Sequence, residues 1–347
     1  MINIDPLPRV VIRCDGGRDI GMGHVVRCIA LAEMLRDNFR IYFVIQETAQ
    51  HVYDILKTAG FDYVTIPSTK DFHEDLTHLK SKMESADIVV LDGYNFRTEY
   101  QVGIKISGNK LVAIDDLHAW HHVADVVINH SGGVIGEDYD TERYSKLLLG
   151  FRYVLLRPEF LKINRTKHTL SKVESVFISM GASDEHNLTL NYTKALLEIH
   201  GLNRIHLMVS DVNPHFQSLI KFAEEHKRAI ILHRNISADE LIHVLSICDI
   251  AICPASTISL ECCDVGIAII TGYTADNQLG ILSGLSASGV VINIGNLNVP
   301  ILELKSKLAL LIKDTALLNK LVNVQQELFD GNSGVRIRDE FFELIDF

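Results

Sequence analysis

The sequence predicts an α/β fold with two parallel sheets, and three observations predict it. Short β-branched apolar runs alternate with amphipathic stretches along most of the chain. The alternation is broken once by the polar stretch "LKINRTKHTLSK" at 161–172 and then restarts, which marks a boundary. At 347 residues the chain also exceeds the usual size of one hydrophobic core. The expected domains are 1–160 and 161–335, with a C-terminal helix at 336–347 packing back on the first.

In chain order, the first sheet is expected from "RVVIRCD" (9–15), "RIYFVIQ" (40–46), "YVTIP" (63–67), "DIVVLDGY" (87–94), "KLVAIDD" (110–116) and "DVVINH" (125–130). The second is expected from "SVFISMG" (175–181), "IHLMVS" (205–210), "AIILH" (229–233), "DIAICP" (249–254), "AIITG" (268–272) and "VVINIG" (290–295). Helical segments follow near 301–313 and 315–329, and "FDGNSGVRI" breaks them before a last short helix.

Composition excludes several classes. Hydrophobic residues at 47% and charged residues at 22% are an ordinary globular balance. With 33 Lys and Arg against 44 Asp and Glu the net charge is -11, so no general attraction to nucleic acid is expected. The 6 cysteines lie mostly in apolar stretches without a CxxC pair, which suits reduced core thiols better than a zinc or disulfide framework. The segment "MINIDPLPRVVIRCD" carries acids and prolines where a signal peptide needs a basic and then an apolar run. A cytoplasmic chain without stable membrane insertion is expected.

In open α/β sheets ligands collect at the carboxyl ends of strands. "DGGRDIGMGHVVRCIALAEML" (15–35) is such a place: its glycines permit close backbone approach. Val25, Cys28, Ala32 and Leu35 then recur at helical spacing, so His24 stands at a helix mouth. The positive end of the helix dipole disfavours imidazolium there, and a neutral ring can take a proton from water. The alternative is a first-turn histidine that only bonds a loop carbonyl. Asp15, Gly21, Gly23 and Arg27 are the neighbouring candidates for substrate contact. The run lacks GxGxxG spacing, and the next strand ends in Gln46 where a dinucleotide site needs an acid.

In the second domain "SMGASDEHN" offers Gly181, Ser183 and Asn187 to a phosphate. In "CPASTISLECC", Ser256 and Thr257 can cap a helix whose free amides suit a diphosphate, and Glu261 can accept from a ribose diol. Ordinary capping explains the Ser-Thr pair equally. Asp276, Asn277 and Gln278 can bind hydroxyls, or simply form a turn. "LDGYNF", "IDDLH" and "INHSGG", with Asn129 and His130, add further polar strand ends. Asp115 and Asp116 are adjacent on a strand and point to opposite faces, so no obligatory metal is expected. No cofactor is expected.

"DGGRDIGMGHVVRCIALAEML", "LDGYNF", "IDDLH", "VLLRPEF", "SMGASDEHN", "STISLECCDVGIAIIT" and "ADNQ" together resemble the signature segments of the UDP-2,4-diacetamido-2,4,6-trideoxy-β-L-altropyranose hydrolase family (PseG/SpsG-like) of pseudaminic acid biosynthesis. The likeness runs from residue 9 to about 335. It implies a GT-B architecture like that of MurG, two Rossmann-like domains with parallel sheets facing across a cleft. It also implies inverting hydrolysis of the UDP-sugar to free sugar and UDP, with His24 as the base for water and Tyr94 positioning sugar or water. The resemblance places the backbone near Ile236 on uracil, Glu261 on ribose, and Ser256 and Thr257 on the diphosphate. Pro254-Ala255 and Gly181-Ala182 stand where relatives often carry paired glycines, adding bulk where a phosphate needs backbone approach. Asp92-Gly93-Tyr94 replaces an Asp-His-Tyr form. Two rivals stay open: a glycosyltransferase in which His24 deprotonates an acceptor, and a nucleotide-sugar binding module without activity. Oligomeric state is left open.

Overall fold

The computed structural model describes residues 7–17, 20–163, 169–181 and 184–345, in two compact units. One runs to Pro158 and takes in the chain again from Asn332; the other is Glu159–Gly331.

The first unit contains β1 (Arg9–Cys14), α1 (Gly23–Leu35), β2 (Arg40–Gln46), α2 (Gln50–Thr58), β3 (Asp62–Ile66) and α3 (Phe72–Lys80). It continues with β4 (Ile88–Asp92), α4 (Thr98–Ile106), β5 (Lys110–Ile114), β6 (Val126–Asn129) and β7 (Lys146–Leu149). The strands form one parallel sheet in the order β3-β2-β1-β4-β5-β6-β7. Helices cover both faces, so strands read as continuous apolar runs. Val10, Ile12 and Cys14 face α1, while Val11 points to the other side with Leu76 and Tyr100. The expected six strands are corrected to seven. "KLLL" of β7 is too short an apolar run to stand out, and only pairing with β6 makes it a strand.

The second unit holds α5 (Pro158–Leu161, beginning at the division), β8 (Ser175–Ile178), α6 (Leu188–Leu197), β9 (Arg204–Val209), α7 (Phe216–Glu225), β10 (Ile230–Arg234) and α8 (Ala238–Ser246). Then come β11 (Ile250–Pro254), α9 (Thr257–Val265), β12 (Ala268–Tyr273), α10 (Leu279–Ala287), β13 (Ile292–Asn296), α11 (Ile301–Leu311) and α12 (Thr315–Leu328). Its sheet is also parallel, in the order β10-β9-β8-β11-β12-β13. Ile250, Ile252, Ala268 and Ile270 meet Leu304, Leu308, Leu318 and Val322 of the closing helices in one core.

The last helix, α13 (Ser333–Ile345), starts before the expected residue 336, because "FDGN" alone interrupts the chain. Its Ile337, Phe341 and Leu344 join the α1 side of the first core, and Phe341 packs edge-on against Phe39 at 5.9 Å. Burying three such side chains contributes roughly 5–8 kcal/mol of apolar transfer energy. Among the described residues no helix is long and apolar enough to cross a membrane.

Candidate functional site

In each sheet the strand order reverses once, between β1 and β4 and between β8 and β11. Helices leave opposite faces at such a point, and their diverging loops open a crevice at the carboxyl ends. Most of the candidate polar residues gather at these two places.

In the first unit β1 pairs with β4 so that Cys14 lies opposite Asp92. Beyond β1, Gly17 and Gly21 exchange two backbone hydrogen bonds, 3.1 and 2.8 Å. Gly21 has φ +82°, a left-handed conformation that a side chain would strain. Gly23 opens α1, and His24 follows with 6% of its surface exposed. Its Nδ1 lies 2.7 Å from Oδ1 of Asp92, the fully buried last residue of β4. Burial alone would raise the Asp92 carboxyl, but the Arg27 charge and hydrogen bonds from Arg27 and His24 outweigh it and hold it well below the carboxylate range. An ionised Asp92 assigns the proton of a neutral His24 ring to Nδ1 and leaves the Nε2 lone pair open. His24 therefore bonds a carboxylate, not a loop carbonyl.

Arg27 is expected against substrate, and the structure corrects that role. Its guanidinium grips Asp92 through Nε and Nη2, both at 2.6 Å, and Asp116 through Nη1 and Nη2, both at 2.9 Å. A fork closed on two carboxylates orients them and is not available to a phosphate. Tyr94 stands edge-on to His24 with centroids 4.8 Å apart and is 46% exposed, so its phenol is reachable from outside. Partial burial, then the negative Asp116, raises its pKa and keeps it protonated. Asp15 is gripped by Arg13 at 2.6 and 2.7 Å and accepts the Gln46 N–H at 2.9 Å, which anchors the loop ahead of His24. Asp115 and Asp116 engage different partners: Asp115 accepts from the Leu117 and His118 amides and the Tyr139 hydroxyl.

In the second unit a cavity of about 320 Å³ opens at the reversal between β8 and β11, lined among others by Gly181, Ser210, Asn235, Ile236, Ser256 and Ile258. Gly181 has φ +85°, and a Cβ there would meet nothing within 4 Å, so conformation and not space calls for glycine. The expected cap by the Ser256 hydroxyl is replaced: Ser259 Oγ accepts the Ser256 N–H at 3.1 Å and donates to its carbonyl at 2.6 Å. In the first turn of α9, starting at Thr257, the Ser259 N–H already donates to the Ser256 carbonyl at 3.0 Å, while the Thr257 and Ile258 amides are among those a helix leaves without intrahelical acceptors. Pro254 closes β11 and Ala255 is fully buried with its N–H on Gly272, so the added bulk faces the core and not the cavity.

Other candidates lie elsewhere. Glu261 is buried in α9, away from the cavity lining. Asn187 precedes α6 in a left-handed conformation at φ +52°. Asp276, Asn277 and Gln278 form a 3-10 turn in which Gln278 Oε1 accepts the Thr274 N–H at 2.8 Å, so turn chemistry uses that oxygen. Ser183 and Ala182 fall outside the described residues. The reading from sequence missed Asp92 and Asp116 as partners of His24 and Arg27. Their only signal was that both are acids at strand ends.

No family model matches the chain. Among curated proteins it is 28% identical over 239 residues to the UDP-2,4-diacetamido-2,4,6-trideoxy-beta-L-altropyranose hydrolase of Campylobacter jejuni, covering 66% of this chain and 80% of that one. It is 22% identical over 291 residues to the spore coat polysaccharide biosynthesis protein SpsG of Bacillus subtilis, covering 82% and 83%. An uncharacterised protein of Methanocaldococcus jannaschii is 23% identical over 285 residues, and the match spans 78% of this chain and 56% of that longer one. Among solved structures, MurG of Acinetobacter baumannii superposes with a TM-score of 0.67 at 13% identity, over 97% of this chain and 99% of that one. HepE of Anabaena, in complex with UDP, gives 0.60 at 13% identity, over 98% and 100%. The chain thus has the GT-B fold, and the resemblance carried by its motifs holds: over most of its length it is similar to the diacetamido-trideoxy-altropyranose hydrolase and to SpsG.

Proposed function

We propose that this chain is an enzyme acting on a UDP-linked sugar, and that it hydrolyses a UDP-linked diacetamido-trideoxy sugar with inversion in nonulosonic (pseudaminic) acid biosynthesis. The observation that carries the reading is the His24–Asp92 pair at 2.7 Å, a base held by a buried carboxylate at a strand-order reversal. His24 Nε2 takes a proton from water as the water oxygen bonds the anomeric carbon. The bond from that carbon to the phosphate oxygen breaks, and its electron pair leaves on UDP. Asp92 stabilises the imidazolium that results, and Tyr94 positions water or sugar. UDP is already a good leaving group, so one base suffices where an ordinary glycoside needs a carboxylate pair. The cavity at Gly181, Ile236 and Ser256 receives the nucleotide, with the α9 terminus absorbing charge on the diphosphate. The names of the C. jejuni relative and of the UDP-bound HepE support this assignment.

The test is incubation of the protein with the UDP-diacetamido-trideoxy-altrose without acceptor, following free UDP and the released anomer by NMR alongside His24→Ala. Inverted free sugar from the wild type only is the expected result. Turnover that requires an added acceptor hydroxyl would make the chain a glycosyltransferase, and UDP binding with no turnover of any sugar nucleotide would make it a binding module.

A further inference from the structure

A second histidine stands at the same edge of the first sheet. His130 directly follows β6, and its neighbour strand β5 leads into Asp115 and Asp116. It is 6% exposed, and its Nδ1 accepts the Leu155 N–H at 3.2 Å. A ring nitrogen that accepts from an amide carries no proton, so the neutral tautomer places hydrogen on Nε2. Among the described residues no acceptor meets that Nε2–H. The ring is nearly buried, but that nitrogen is not one of the side-chain atoms shut off from water without a partner, so it is open to an incoming acceptor that replaces water.

The charges around the ring indicate what that acceptor is. Burial first, and then the positive Arg27, push the His130 pKa down to about 4 against the opposing pull of Asp116 and Asp92, so the ring stays neutral at physiological pH. Arg27, Asp92 and Asp116 together leave one net negative charge beside it, which disfavours a phosphate and favours an uncharged oxygen. His24 and His130 are thus in opposite states: the first has its proton on Nδ1 and an open Nε2 lone pair, the second an occupied Nδ1 and an open Nε2–H. One suits proton abstraction and the other can only donate.

We propose that His130 donates its Nε2–H to a neutral acceptor oxygen on the sugar of the nucleotide sugar, an acylamino carbonyl fitting best because it is acceptor-only. The assignment rests on the functional reading above. It makes His130 a residue that distinguishes sugar nucleotides from the nucleotide alone.

The experiment compares wild type, His130→Leu and His130→Gln. Leucine fills the space without a donor, and glutamine returns an N–H near the Nε2 position. Expected results are unchanged affinity for UDP in all three, a KM for the UDP-diacetamido-trideoxy-altrose about tenfold higher in His130→Leu, and recovery of most of that loss in His130→Gln. The pH dependence of kcat should not move. Imidazole 15N shifts of the ligand-free wild type should show the Nε2–H tautomer at pH 7. A wild-type KM in His130→Leu would overturn the proposal. So would a His130→Gln protein that unfolds like wild type yet matches leucine in KM, or an Nδ1–H tautomer. If the wild type releases no UDP, hydrolysis fails as the function, and the same comparison is made on dissociation constants. Weaker sugar nucleotide with unchanged UDP then supports the donor, and equal loss of both, or of neither, overturns it.

Discussion

His24 Nδ1 and Asp92 Oδ1 lie 2.7 Å apart although 68 residues separate them. The contact exists because β1 and β4 are neighbours in the sheet, so the loop after one and the last residue of the other share an edge. Asp92→Asn keeps the shape and removes the charge, and the amide can present its NH2 to Nδ1 and shift the ring proton to Nε2. A fall in kcat on the order of 10²- to 10⁴-fold is expected, with a smaller change in KM, measured by UDP release. A fall in KM affinity alone would show that Asp92 does not orient the base.

Stability should depend on pH through His130. Its folded pKa of about 4 lies below the ordinary histidine value near 6.5. Above the unfolded value neither state binds the proton and this contribution is fully present; as pH falls from about 6.5 towards 4 the unfolded chain is protonated first, and stability is lost. Urea unfolding of the wild type at pH 7, 5.5 and 4.5 should show a decline that His130→Leu reduces by about 1–3 kcal/mol across the window.

On the opposite face of the same sheet, Arg13 is buried beneath Phe96 and bridges Asp15 and Asp75, with Tyr100 donating to Asp75 at 2.5 Å. Burial pushes the Asp75 carboxyl up, but the Arg13 and Tyr100 bonds bring it below its usual value. Arg13→Met leaves that carboxylate without its cation and should cost about 3–5 kcal/mol. Tyr100→Phe removes one hydrogen bond and should cost about 1 kcal/mol. Thermal unfolding of both variants checks the order, which reverses if Arg13 is only a spacer.

Gly181→Val puts a β-branched side chain at φ +85° on the cavity wall. The local strain is about 1–3 kcal/mol, and the loop must shift to relieve it. Titration calorimetry should show UDP affinity at least about tenfold weaker. Unchanged affinity would place the nucleotide elsewhere.

The two sheets were legible because parallel strands buried on both faces read as apolar runs, and "RIYFVIQ" coincides with β2 to the residue. The polar strand ends were legible for the same reason, since an acid or histidine closing such a run has no place in the core. β7 was not legible, because four residues carry too little pattern. The Ser256 hydroxyl was misread as a cap, because the competing bond from Ser259 depends on a local geometry that residue types do not specify.

Residue pattern alone was enough for the number of sheets, the strand-then-helix order, the place of His24 at a helix mouth and the family the motifs resemble. These follow from local propensity and from which side chains must leave water. The pairing of His24 with Asp92, the closure of Arg27 on two carboxylates and the tautomer of His130 came from the folded chain. Each joins segments distant in sequence, and the direction of a proton on an imidazole is set by whichever partner the fold brings to its other nitrogen.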